Sequence, residues 1–166
     1  MTKMRKALYL VFLVTMSVVA CHLFEWRWLK SCTSEALVRV ALACKLDAAR
    51  VGWDLIEWQG NSIRLRTACT FVDVFFGAVP ILWTKRLGLV KNAGRVAAFA
   101  ALLFPFNILR LSLGFWLYAK GVPWIVAHDI FSGFAYFGVW VMLSKVSITA
   151  MTWRSNESFA ADILKT

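Results

Sequence analysis

Four long stretches of this chain carry almost no charge: Ala7 to Phe24, Thr67 to Trp83, Val96 to Ala119 and Val122 to Leu143. Each is near or above the roughly 17 to 25 residues that span a bilayer. A soluble globule interleaves charge with its apolar residues at helical period, and these runs do not. The expected fold is therefore all-α and integral to the membrane. It is a single domain over residues 1–166, a bundle of about four transmembrane helices with an extracytoplasmic amphipathic helix and a small hairpin. Spans are expected at about 7–24, 67–83, 96–119 and 122–143, with an outer segment at 25–66. The formal charge of +10 then follows from membrane topology and calls for no nucleic acid.

Short loops rich in lysine and arginine stay on the cytoplasmic side. The N-terminus MTKMRK has basic residues and no acid, and so has the loop TKRLGLVKNAGR, with Lys85, Arg86, Lys91 and Arg95. Both belong inside. The stretch from Glu25 to Arg66 mixes seven basic with five acidic residues and suits the outer face. The reading is a multi-pass protein of the cell (inner) membrane with both termini cytoplasmic, ending in a polar cytoplasmic tail at 152–166. Lys3, Arg5 and Lys6, an apolar stretch and Val18-Val19-Ala20-Cys21 also loosely resemble a lipoprotein signal peptide. A first transmembrane helix containing a cysteine is the preferred reading, because a multi-span protein needs no lipid anchor.

The outer segment opens with an expected amphipathic helix from Ser34 to Asp54. Glu35, Arg39, Asp47, Arg50 and Asp54 fall on one face, and Leu37, Val40, Ala41, Cys44, Ala48 and Val51 elsewhere. Glu35 with Arg39 and Arg50 with Asp54 are spaced as helical ion pairs. Two alternating runs then flank Gln59-Gly60-Asn61-Ser62, with Ile56 and Trp58 before it and Ile63 and Leu65 after, which reads as a hairpin turning at Gly-Asn. Cys32 and Cys44 would both lie outside, where they could pair or stay free; the sequence leaves both open.

Within the second, third and fourth spans the strongly ionisable residues are Asp73, Arg110, His128 and Asp129. A charge near the bilayer centre costs roughly 2.5 to 3.5 kcal/mol on insertion scales, so it faces a partner or a wet cavity and by default marks a functional position. The topology puts Cys69 near the outer end of the second span. Arg110 lies roughly 13 Å below the outer end of the third and His128 roughly 9 Å below that of the fourth. Arginine can snorkel further outward. Cys69, Arg110 and His128, on three helices, can therefore share one pocket open to the extracytoplasmic face.

The set makes chemical sense. A thiolate is the nucleophile, and a nearby cation favours it. Histidine can take the thiol proton and return it to a leaving amine, and arginine can stabilise a thiolate or an oxyanion. Asn107 precedes Arg110 by one turn and could orient the guanidinium or bind a substrate carbonyl. Asp73 could orient His128 or pair with Arg110, Asp129 could assist His128, and Pro105 is expected to loosen the third helix. No His/Cys cluster has metal-ligand spacing, and the chemistry asks for no cofactor. Each residue also has a plain structural reading, as a packing cysteine, an Asp73–Arg110 ion pair, or a histidine bonded to a neighbour. On that reading the chain is a non-catalytic membrane subunit or small transport component whose buried charges hold helices together.

At these residues the chain resembles the exosortase/archaeosortase family of membrane cysteine transpeptidases. GNSIRLRTACTFVDVFFGAVPILW resembles the segment leading into the family's catalytic cysteine, NILRLSLGFW its Asn-x-x-Arg motif, and AHDIFSGFAYFGVWVML its histidine motif. The order of cysteine, arginine and histidine on successive helices is the specific part. The family usually carries a small residue and glycine after the cysteine, where this chain has Thr70 and Phe71. The chain is also shorter, so it resembles a short, divergent member. The resemblance implies Cys69 as nucleophile, Arg110 as stabilising residue and His128 as acid/base. It implies as partners an exported protein with a C-terminal motif, transmembrane helix and basic tail, and a lipid or glycan acceptor.

Overall fold

The structure, a computed structural model, describes residues 3–84, 87–143 and 145. The tail expected at 152–166 lies outside the described residues, as do Lys85 and Arg86. The chain is mostly helical with a small sheet. Helix α1 (Lys3–Cys21) runs to a sharp turn at Trp26, whose indole Nε1 donates to the Cys21 carbonyl at 2.6 Å. Helix α2 (Arg27–Ala43) follows, burying Lys30, Thr33, Ser34, Leu37, Val38 and Ala41 at intervals of three and four, the spacing of one helical face.

The amphipathic helix expected over Ser34 to Asp54 is corrected at both ends, since α2 starts earlier and stops at Ala43. Its end is a Schellman-type closure: Lys45 takes a left-handed backbone (φ 57°) while Leu46 N–H bonds the Ala41 carbonyl at 2.9 Å. Ala48–Arg50 then forms strand β1 rather than a further helical turn. Glu35 and Arg39 do pair at 2.8 Å, but Arg50 reaches back to Glu35 and Asp54 lies beside Arg64.

β1 pairs antiparallel with β2 (Leu55–Trp58), and β2 with β3 (Asn61–Arg64), so the expected hairpin gains a third strand. Gln59 and Gly60 make its two-residue turn, both with positive φ (47° and 76°), one residue earlier than Gly-Asn would place it. Ile56, Trp58, Ile63 and Leu65 all face inward against α2.

The stretch expected as a span at 67–83 is divided. Thr67–Thr70 form a 3-10 turn, Phe71 takes a left-handed backbone (φ 54°), and only then does helix α3 (Val72–Leu82) begin. Its 11 residues rise about 16 Å, about half a bilayer core. Helix α4 (Leu89–Ala119) continues through Pro105, and helix α5 (Ile125–Leu143) opens with a π-wound segment at Ile125–Ile130. α4 and α5 are long and apolar enough to cross a membrane, and Ala7–Cys21 and Val72–Leu82 are shorter apolar helices.

The core has two storeys. The upper joins α2 and the sheet to Cys69 and to Ile108, Leu111 and Phe115 of α4. The lower joins Phe71, Val74, Ala78 and Leu82 to Phe99 and Leu103 of α4 and to Val139 and Leu143 of α5. α4 runs through both, and Cys69 and Phe71 sit at the seam.

Candidate active site

Cys69 is placed by the 3-10 turn. Its own N–H bonds the Arg66 carbonyl at 3.0 Å, and its carbonyl accepts from the Asn107 side-chain amide at 2.8 Å. A buried polar group needs such partners, and Asn107 is fully buried. The same amide turns its oxygen toward Arg110, which donates from Nη2 at 3.0 Å and from Nε at 3.3 Å. One asparagine thus ties the Cys69 backbone to the guanidinium: it orients Arg110 as expected, but its amide N–H is spent on the chain's own carbonyl rather than left for a substrate's.

Arg110 is itself buried and has no carboxylate partner among the described residues. Its Nη1 donates to the Ser132 hydroxyl of α5, and its Cζ stands 4.5 Å from the centre of the Phe71 ring. Stacking on an aromatic face partly compensates a desolvated cation. The guanidinium therefore has neutral hydrogen-bond partners and no counter-charge among the described residues, which leaves its field available to an incoming anion.

His128 lies on the π-wound start of α5, with Nε2 at 3.9 Å from Cys69 Sγ and Nδ1 at 2.9 Å from Asp129 Oδ1. A carboxylate on Nδ1 favours the tautomer that presents Nε2 as acceptor. The ring stacks almost parallel on Trp124, 4.5 Å between centres and 9° between planes, and Trp124 in turn stacks on Phe115. Close approach of α4 and α5 here depends on Gly114, where a Cβ would lie 2.7 Å from the Ala127 carbonyl oxygen. π-wound segments of this kind are frequent at functional sites.

Asp73 stands apart from these groups, which corrects both expectations for it. It bonds neither His128 nor Arg110; it accepts from Tyr136 Oη at 2.8 Å and from Val74 N–H at 2.9 Å. Tyr136 Oη also lies 3.2 Å from the Ala68 carbonyl, and its ring meets Phe71 edge-on. The Asp73–Tyr136 pair thus braces the cysteine turn from α5.

The structure brings Cys69, Asn107, Arg110, His128 and Asp129 into one cluster at the seam of the two storeys. Trp124, Ser132, Tyr136 and Phe71 belong to it as well and were missed by the sequence reading. A signal was available: His128, Ser132 and Tyr136 are spaced four apart and share one helical face. Beside the cysteine turn is a cavity of about 210 Å³ lined by Trp26, Leu29, Thr70, Phe71, Phe75 and Phe104. Among the described residues no three His, Cys, Asp or Glu side chains gather as a metal site would require, and all four cysteines are free, Cys32 and Cys44 on the surface.

Chemically, the arrangement offers a thiol, an adjacent base held by a carboxylate, and a fixed cation, the parts of nucleophilic acyl transfer. Comparison with protein-family models, with curated proteins and with solved structures finds no match to this chain.

Proposed function

We propose that this chain is a membrane-embedded cysteine protease/transpeptidase of the exosortase/archaeosortase kind. In this reading it cleaves the C-terminal sorting signals of exported proteins and transfers them to a lipid or glycan acceptor at the cell surface. The observation that carries the reading is the Cys69–His128 pair at 3.9 Å, with Asp129 on the far ring nitrogen and the unneutralised Arg110 held beside the same turn by Asn107. Hydrogen bonds of a catalytic pair are often long before substrate is bound.

The mechanism follows from these roles. His128 Nε2 takes the thiol proton as Cys69 Sγ bonds the scissile carbonyl carbon, and Arg110 stabilises the oxyanion of the tetrahedral intermediate. The C–N bond then breaks, the amine leaves with the proton from His128, and an acyl thioester remains on Cys69. An acceptor nucleophile attacks the thioester, giving its proton to His128, and the thiol is restored with the proton that His128 returns.

Two further observations support the family resemblance. Phe71 adopts φ 54°, a left-handed backbone that glycine takes at little cost, at the position where the family usually has glycine. The apolar cavity beside Thr70 and Phe71 suits the hydrophobic segment of a sorting signal. The membrane arrangement in this proposal has four crossings, α1, the Thr67–Thr70 turn taken together with the short α3, α4 and α5, with the sheet and α2 on the extracytoplasmic side and both termini inside. The rival reading, a non-catalytic membrane subunit, expects Arg110 to pair with Asp73, whereas Asp73 is bonded by Tyr136.

The test is sorting-signal cleavage in cells that express the chain with a candidate target. Cys69→Ala and Arg110→Ala are each expected to leave the precursor uncleaved. Unchanged cleavage by either variant would sink the proposal.

A further inference from the structure

In an antiparallel pair, directly opposed residues alternate between those that exchange hydrogen bonds and those that do not. The two-residue turn makes Trp58 and Asn61 a bonded pair, so Ile56 with Ile63 is bonded and Asp54 with Leu65 follows, where Leu65 N–H reaches the Asp54 carbonyl at 2.7 Å. Ser62 and Arg64 sit at the unbonded positions and turn their N–H and C=O groups away from β2. No strand pairs with that side, and these groups have no hydrogen-bond partner among the described residues. The opposite edge of the sheet, β1, is tied to α2 through Arg50, 2.7 Å from the Ser31 hydroxyl and 3.7 Å from Glu35. β3 is thus an open edge.

Its position matters because β3 runs directly into the cysteine turn. After Arg64 come Leu65, buried in the upper core, and Arg66, whose carbonyl accepts the Cys69 N–H. Ser62, Arg64 and Arg66 are exposed. Arg66 has no carboxylate partner among the described residues. Charged side chains on an edge strand discourage pairing with an identical edge, and here they leave the edge suited to a chain of opposite charge.

We propose that the open edge of β3 is the rail on which substrate is presented: an extended polypeptide segment bearing an acidic side chain adds as a fourth strand beside Ser62 and Arg64, its acid on Arg66. A strand advances roughly 3.3 Å per residue, so the scissile carbonyl follows within a few residues of the paired segment. Main-chain hydrogen bonds supply the affinity in this mode and alternate side chains the selectivity. The inference rests on the cysteine-peptidase reading for Cys69, but its test separates the two.

The probe is an extended peptide of alternating valine and threonine with one glutamate, ending in a chloromethyl ketone, which alkylates a thiol with loss of chloride. Purified full-length protein in lipid nanodiscs is treated with it or with iodoacetamide, and alkylation of Cys69 is followed by mass spectrometry. The peptide is expected to react faster than iodoacetamide. Ser62→Pro removes only an outward N–H, which an edge strand tolerates. It is expected to slow the peptide by about tenfold while leaving iodoacetamide unchanged. A peptide N-methylated at alternate amides should lose a similar factor on the unaltered protein, and this arm decides the matter if Ser62→Pro does not fold. Arg66→Glu should abolish the preference for glutamate over lysine in the peptide.

Equal rates for the methylated and unmethylated peptides, or a dimer that Ser62→Pro turns into a monomer, overturn the proposal; the second assigns the edge to another copy of the chain. His128→Ala reports separately. If it leaves both reagents unaffected, the catalytic pair fails while the edge result stands on its own arms.

Discussion

Asn107 Nδ2 lies 2.8 Å from the Cys69 carbonyl oxygen, while the oxygen of the same amide faces Arg110. The side chain is fully buried, so neither bond can be exchanged for water. Asn107→Leu is expected to lower stability by about 1–3 kcal/mol, since it orphans a buried carbonyl and a guanidinium. Asn107→Asp keeps the shape but cannot donate to Cys69. It is expected to fold, as judged by thermal unfolding in detergent, and to lose cleavage.

Arg110→Lys keeps the charge and discards the fork. Lysine cannot reach Asn107 and Ser132 together or lie flat on Phe71. Activity should fall by at least about tenfold, with the protein still inserted and folded. A variant as active as the parent in the cleavage assay would mean that charge alone is needed.

Gly114→Ala tests the contact that seats His128. The added methyl would lie 2.7 Å from the Ala127 carbonyl oxygen, which is backbone and cannot swing aside. A cost of about 1–3 kcal/mol is expected, together with loss of activity through displacement of the π-wound segment. Circular dichroism melts and Cys69 alkylation rates in the same sample read the two effects.

Tyr136→Phe retains the ring against Phe71 and removes the bond to Asp73. A loss of about 1–3 kcal/mol is expected from the bond removed to a charged acceptor, Asp73 keeping the Val74 N–H. The cysteine turn should become more mobile, read as faster hydrogen exchange at the amides of residues 68–72.

Cys32 and Cys44 are exposed, and Cys21 and Cys69 are buried. In the proposed topology a membrane-impermeant maleimide added to spheroplasts should label Cys32 and Cys44 without prior reduction. Labelling only after the membrane is opened would invert the orientation, and labelling only after reduction would reveal a bridge.

How much of this was legible in the sequence depends on whether the cause was local. The apolar runs at 96–119 and 122–143 mark α4 and α5 because length and lack of charge are local properties. The convergence of Cys69, Arg110 and His128 followed from counting depth along three segments. The break at Phe71 did not, because a left-handed phenylalanine is imposed by its surroundings: fully buried, it carries Arg110 on its face and Tyr136 at its edge. β1 escaped for a related reason. Three residues have no periodicity of their own, and the charges at Asp47, Arg50 and Asp54 happened to match a helical face. Neither expected partner of Asp73, His128 or Arg110, holds it, because a tyrosine on α5 reaches its carboxylate.

The upper storey has no floor of its own. Ile108, Leu111 and Phe115 of α4 close the space beneath α2 and the sheet, so the segment at 25–66 cannot be cut away as a free-standing domain. Expressed without α4 it would present Leu37, Ile56, Trp58 and Leu65 to water and aggregate. Work on this segment must therefore keep α4 with it.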